Sequence, residues 1–125
     1  MVGDHLGETL KPVVVRGQAI SKNEYEDALA VKESAEQFFS TYFHDFDAIL
    51  APAARGVAPP LAMGGTGDPV FCTIWTLAGL PAITLPALVG ENGLPIGIQL
   101  VGGAEEDDRL LRTASWFQTK LARQI

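Results

Sequence analysis

Four serines, four lysines, two histidines and a single cysteine are among the side chains in this chain that could serve as nucleophile or base. Ser21, Ser34, Ser40 and Ser115 all fall at or within helix patterns, and no small-residue turn precedes any of them to lift a hydroxyl clear of the backbone. Lys11, Lys22, Lys32 and Lys120 stand in polar surroundings. A lysine that acts as base needs burial or a cationic neighbour to shed its proton, and none of the four is expected to be buried. Cys72 with His5 or His44 could form a thiol–imidazole pair, but Cys72 sits in an apolar helical stretch, where a thiol is inert. Two lone histidines make a poor metal site. The acids Glu105, Glu106, Asp107 and Asp108 suit the start of a solvated helix better than a cation site, because the helix dipole favours them there. Gly64-Gly65-Thr66-Gly67-Asp68 could cradle an anion ahead of a helix. It lacks the Gly-Lys-Ser/Thr ending of a phosphate loop, and Asp68 at the cap would repel an anion. No catalytic residue, metal ligand or cofactor site is therefore expected. Gln99 remains: a polar side chain in an apolar strand needs a partner when buried, either a neighbouring loop or a group near a binding pocket.

The elements that would position these residues are legible in part. Residues 1–20 are a poorly patterned lead-in, with a short extended piece expected over 10–16 around Val13, Val14 and Val15. Ser21 and Glu24 match the capping box, and Tyr25, Ala28, Leu29, Ala35, Phe39, Tyr42, Phe43 and Phe46 recur at three- and four-residue steps. That spacing predicts a helix over 22–44 with one wide apolar stripe and His44 at its end. Residues 47–51 read as a buried strand ended by Pro52, and 52–67 as a long irregular loop. Asp68 followed by Pro69 marks a second helix start. The stretch 70–78 is apolar all round, which predicts a buried helix closed by Gly79.

The stretch AGLPAITLPALVGENGLPIGIQLVGG, 78–103, predicts two strands, 82–89 and 94–101, joined by the turn Gly90-Glu91-Asn92-Gly93 as an antiparallel hairpin. Its breakers are placed rather than scattered. Pro81 and Pro95 fall at strand starts, Pro86 demands an edge, a bulge or a break in pairing, and Gly97 lets another element come close. Leu94, Ile96, Ile98 and Leu100 share one face, with Pro95, Gly97, Gln99 and Val101 on the other. A last helix is expected over 105–123, with Leu110, Leu111, Ala114, Phe117 and Leu121 facing inward.

Composition narrows the class. The chain has 125 residues, which suits one domain over 1–125 with its compact part at 21–123. Charged residues are 19% and the mean hydropathy is +0.17. So few charges predict either an efficient core or a surface that expects a partner. A net charge of −6 disfavours nucleic acid. One cysteine allows no internal disulfide and fits a reducing cytoplasm. MVGDHLGETLKP has no basic apolar leader, and no apolar run is long enough to span a bilayer, so neither a signal peptide nor a membrane partner is expected.

Five segments in order, FDAILAP (46–52), Gly67-Asp68 with Phe71, GLPAITLP (79–86), GLPIGIQLVG (93–102) and DDRLL (107–111), resemble the C-terminal third of the amidase signature family. The resemblance covers 21–121; Thr76 departs from it, many members carrying Asn there. It implies a partial α/β fold, a mixed sheet with an antiparallel hairpin packed by helices. It also implies a function: hydrolysis of carboxylic amides by a serine, a second serine in a cis peptide and a lysine, all upstream of the region seen here. Phe71, Cys72 and Trp75, with Gln99, are then candidates to line the substrate pocket. On this reading the chain alone is inactive. Its partners are the missing N-terminal part or another copy of itself through apolar surface, with a small amide bound only by the whole enzyme. The alternatives are a non-catalytic binding or assembly module on the same fold, and an unrelated hydrolase using Cys72.

Overall fold

A computed structural model of the chain describes residues 7–121. His5 and the expected end of the last helix at residue 123 lie outside them. The chain divides into two units, one running through Glu33 and one from Ser34 onward.

The first unit is helical. Helix α1 spans Lys11–Ala19 and has no buried residue. The extended piece expected over 10–16 is thus a helix instead. Pro12, in the first turn, fixes φ at a helical value, and the Val14 N–H bonds the Leu10 carbonyl at 3.1 Å. These local bonds outweigh the strand preference of three consecutive valines. Helix α2, Lys22–Tyr42, opens on the capping box read from sequence. The Ser21 hydroxyl and backbone N–H donate to Glu24 at 2.7 and 2.8 Å, and the Glu24 N–H donates back to the Ser21 hydroxyl at 3.3 Å. The side-chain bond from Ser21, then its backbone bond, hold the Glu24 carboxyl below the usual carboxylate range. In this unit Tyr25 and Leu29 are exposed, so the apolar stripe is not covered along its whole length.

In the second unit the end of α2, two further helices and three strands build a two-sided sheet. Strands β1 (Ile49–Pro52), β2 (Ala82–Val89) and β3 (Pro95–Val101) run in the order β1-β3-β2, antiparallel throughout. This is the expected α/β arrangement, a hairpin packed by helices. Its register is Thr84 opposite Gln99 and Pro86 opposite Gly97, with a shift between Pro86 and Leu88. Pro86 therefore lies on an edge strand and beside a bulge, where its missing N–H costs no ladder bond. Gly97 is needed for space. A Cβ there would stand 2.6 Å from Thr84 Cγ2 and 3.3 Å from Ala53 Cβ. Asn92 and Gly93 make the hairpin turn with φ of 61° and 72°.

The last helix of the chain, Asp107–Leu121, covers one face of the sheet and is called α4 below, α3 being the short helix between β1 and β2. Leu110 and Ala114 pack with Leu85 and Leu100, flanked by Ile83, Ile98 and Phe117. Only Asp107 and Asp108 lie in its first turn. Glu105 sits ahead of the helix in a left-handed turn at φ 60°, so the four acids do not share one helical turn as expected. Leu111, expected inside, is exposed, because it falls a step off the Leu110–Ala114–Phe117 row.

The other face holds Phe39, Phe43 and Ala78, with Trp75, Ile49 and Leu80 against them. Helix α2 ends at Tyr42, so His44 lies beyond the helix rather than closing it. The apolar stretch 70–78 does not form one buried helix. It splits into a 3-10 turn, Pro69–Phe71, and the short helix α3, Thr73–Leu77. Asp68 caps the turn as expected, accepting from the Val70 N–H at 3.0 Å. Gly79, at φ 65°, closes α3, with the Leu80 N–H on the Trp75 carbonyl at 2.9 Å and the Gly79 N–H on the Thr76 carbonyl at 3.3 Å. The outer side of α3, however, is bare.

Candidate functional site

Gln99 occupies the middle of the central strand on the face opposite α4, and it is 3% exposed. Its Nε2 donates to the Pro52 carbonyl at 2.8 Å and to the Phe71 carbonyl at 2.6 Å. Pro52 ends β1 and Phe71 ends the 3-10 turn, so one amide joins the central strand to both ends of the intervening loop. Two acceptors facing the same atom require a donor there, which fixes which end of the amide points at them. The loop reading of Gln99 is thus what the structure shows. The loop is also braced by an ion pair, Arg55 Nε to Asp68 Oδ2 at 2.9 Å, exposed on both sides. It carries one 3-10 turn, Leu61–Met63, with Leu61 97% exposed.

Phe71 is half-buried and lines an open cleft of ≈ 560 Å3 with Pro52, Ala54, Arg55, Gly56, Val70 and Ile96. Cys72 is exposed, not enclosed as its apolar neighbours suggested. Val70, Ile74 and Leu77 around it are 44%, 37% and 38% exposed. A helix of five residues is too short to bury every side, and only Ala78 and Trp75 reach the core. The Cys72 thiol points toward the Ala53 carbonyl at 3.9 Å, a weak contact. Trp75 faces the opposite way, edge-on to Phe39 with ring centroids 5.6 Å apart. Its Nε1 is buried without a hydrogen-bond partner. The structure therefore brings Gln99, Phe71 and Cys72 to one side of the sheet and puts Trp75 in the core beneath them.

Cys72 and His44 line separate clefts. Lys11 pairs with Glu8 at 2.6 Å, Lys22 with Glu26 at 3.4 Å, and Lys120 lies over the Trp116 ring at 5.8 Å. Ser21 is the helix cap, while Ser40 and Ser115 are exposed on helices. Among the described residues no group of three or more His, Cys, Asp or Glu could hold a metal ion, and no helix is long and apolar enough to cross a membrane.

Sequence reasoning missed two features. Arg109 gathers Asp47 at 2.8 Å, Glu106 at 3.0 Å and the Phe43 carbonyl at 3.5 Å. The bonds to Asp47 and Glu106 raise its pKa further above its ordinary value. The signal was the arginine two places after Asp107, but its partners Phe43 and Asp47 lie far away in the chain. The second feature is a cleft of ≈ 430 Å3 where Glu36, Ser40 and His44 face Gly79, Gly103 and Glu106. Nothing in local spacing pointed to it.

Comparison with known proteins follows the same region. The family described as Amidase matches residues 1–111. A glutamyl-tRNA(Gln) amidotransferase subunit from Agathobacter rectalis is 36% identical over 124 residues, covering 90% of this chain and 24% of the relative. The same subunit from Brevibacillus brevis is 38% identical over 101 residues, covering 75% and 20%. Among solved structures, a crystal structure of an amidase superposes with a TM-score of 0.78 at 26% identity, covering 92% of this chain and 29% of that one. The chain thus spans about a quarter of the length of the relatives it matches.

Proposed function

The chain belongs to the amidase family, and on that premise we propose that it is the C-terminal part of an enzyme that hydrolyses carboxylic amides. The serine, cis-serine and lysine chemistry is carried by preceding sequence, and this chain alone is inactive. One observation carries the reading: α3 and the turn before it have an apolar composition suited to a covered helix, yet Val70, Ile74 and Leu77 stand exposed on this chain. A surface of that kind fits a piece that is completed by more protein. The share of the relatives that the chain spans, near a quarter, supports the same conclusion. Phe71 and Cys72 then form part of a wall of the substrate pocket, with Trp75 and Gln99 holding that wall from behind. The single free cysteine supports a reducing cytoplasm as its location.

A second reading, a non-catalytic binding or assembly module, draws on the curated relatives, which are named as subunits. One experiment separates the two. An antibody raised to this chain is used to isolate the natural antigen, and ammonia release from simple carboxylic amides is measured for that antigen and for the chain alone. The proposal expects an antigen several times heavier than 13.3 kDa that releases ammonia, and a chain that releases none. Ammonia release by the chain alone would overturn it. An inactive antigen of 13.3 kDa would favour the module.

A further inference from the structure

Residues 53–70 touch the hairpin through the Ala53 N–H, on the Gly97 carbonyl at 3.1 Å, and through Val57, which packs over Gly90; their other contacts are weak. Their middle carries one 3-10 turn whose tip is in solvent, with Leu61 97% and Met63 75% exposed. The Arg55–Asp68 pair is exposed on both sides, and such pairs contribute little. The Cys72–Ala53 contact is long. At the base of the loop the picture changes. Pro52 and Phe71, the residues that bracket it, both turn their carbonyls onto the same buried nitrogen of Gln99.

We propose that Gln99 is the latch of this loop. Its amide gives one hydrogen to each carbonyl, fastens both ends of the loop to the central strand, and so fixes the shape of the cleft that Phe71 lines. Three properties of the side chain suit the task. An amide nitrogen has two hydrogens, one for each acceptor. It carries no charge that would need a counterion when buried. The Gln99 side chain itself is enclosed, where a hydrogen bond is stronger than in water. The hairpin supplies the fixed point: Gln99 pairs with Ala51 on one side and Thr84 on the other, at the centre of the sheet. Gln99 is accordingly a positioning residue rather than a catalytic one. The inference rests on the amidase reading only for the use of the cleft. The latch is measured without any activity, so either idea can fail alone.

Amide hydrogen exchange on the full chain tests it. The reporters are the N–H groups of Ala53, Val70 and Cys72, which bond Gly97, Asp68 and Pro69. The control is the Leu110 N–H in α4 together with the hairpin. Gln99→Met keeps the bulk and removes both donors. Exchange at the three reporters is expected to speed up by about tenfold while the controls hold their rates. Equal acceleration of loop, hairpin and α4, or no change in the loop, overturns the latch.

Gln99→Glu provides a second arm, which decides the matter if the methionine variant fails to fold. Ionised, its carboxylate faces two carbonyls and donates nothing. Protonated, it donates to one of them. Loop protection in that variant should recover as the pH falls from about 9.5 to about 5, a window that spans the raised range of a buried glutamate, after correction for intrinsic exchange and relative to the unsubstituted chain at each pH. A side chain that merely filled space would give a recovery shared equally by the hairpin and α4 controls, because a buried charge destabilises the whole fold; the latch requires a recovery at the loop reporters beyond that of the controls. A flat profile overturns the proposal.

Discussion

At the scale of single residues, the hairpin is governed by contacts that leave no room for one more carbon. Gly97 is the clearest case. A methyl group there would meet Thr84 Cγ2 at 2.6 Å, and a threonine side chain on a strand has little freedom to turn away. Gly97→Ala is therefore expected to cost about 1–3 kcal/mol, the usual range for overpacking. Thr84→Ser, which deletes the obstructing methyl, should recover most of that loss in the double variant, with Ala53 Cβ at 3.3 Å accounting for the remainder. Urea unfolding of the two single variants and the double variant measures this, and strictly additive losses would refute the steric account. Crowding at Gly97 was legible in the sequence, since a glycine inside a strand marks a close approach. The need of Gln99 for a partner was legible too. Which carbonyls it would find was not, because Pro52 and Phe71 are far from it in the chain and only the fold brings them together.

At the scale of elements, ends were easier to read than middles. Ser21–Glu24, Asp68 and Gly79 were read correctly because a cap depends on a few neighbouring residues. Helix α1 was misread because strand propensity of consecutive valines is a preference that a proline-started turn can outweigh. The stretch expected to be one buried helix over 70–78 is instead a 3-10 turn and the short helix α3, with much of its apolar side exposed. Composition tells how a surface would like to be placed, not whether this chain supplies the cover. The caps also set a dependence on pH. Glu24 is held low by the hydroxyl and N–H of Ser21. Asp108 is held low by the Arg112 side chain, 2.7 Å away, and by the backbone N–H of Arg109. A carboxyl depressed in the folded state stabilises the fold above its unfolded value and loses that contribution as the pH falls through the lower, folded one. Helix content should thus decline as the pH drops below the usual range near 4. Both groups are exposed, so the decline should be shallow and should shrink further in salt. Ser21→Ala is expected to reduce the Glu24 share of it. Helical circular dichroism between neutral and acid pH checks the point, and a profile unchanged by Ser21→Ala would remove Glu24 from the explanation.

For the whole molecule, the deciding comparison is between what is covered and what is not. Among the described residues the buried apolar set is Phe39, Phe43, Ala78, Leu85, Leu100, Val101, Leu110 and Ala114. Large apolar side chains left in solvent include Phe38, Phe46, Leu50, Leu61, Met63, Leu88, Val89 and Trp116. Single exposed apolar residues are ordinary, but adjoining ones are not. Val70, Ile74 and Leu77 adjoin along the turn and α3, and Leu88 and Val89 close the open edge of β2. An unpaired edge beside apolar side chains invites pairing with another chain. The isolated chain is accordingly expected to self-associate and to bind a dye that reports apolar surface. Its charge of −6 opposes that association, so added salt, by screening the repulsion, should promote it. Leu77→Lys places a charge on the outer side of α3 and should shift the chain toward monomer with little change in unfolding, since Leu77 is outside both cores. Sedimentation velocity at two salt concentrations reads the first effect, and the same run on the variant reads the second. A chain that stays monomeric in high salt and leaves the dye dark would mean that the uncovered apolar surface needs no partner, and the case for a piece completed by further protein would then rest on family membership and on the quarter of its relatives' length that the chain spans.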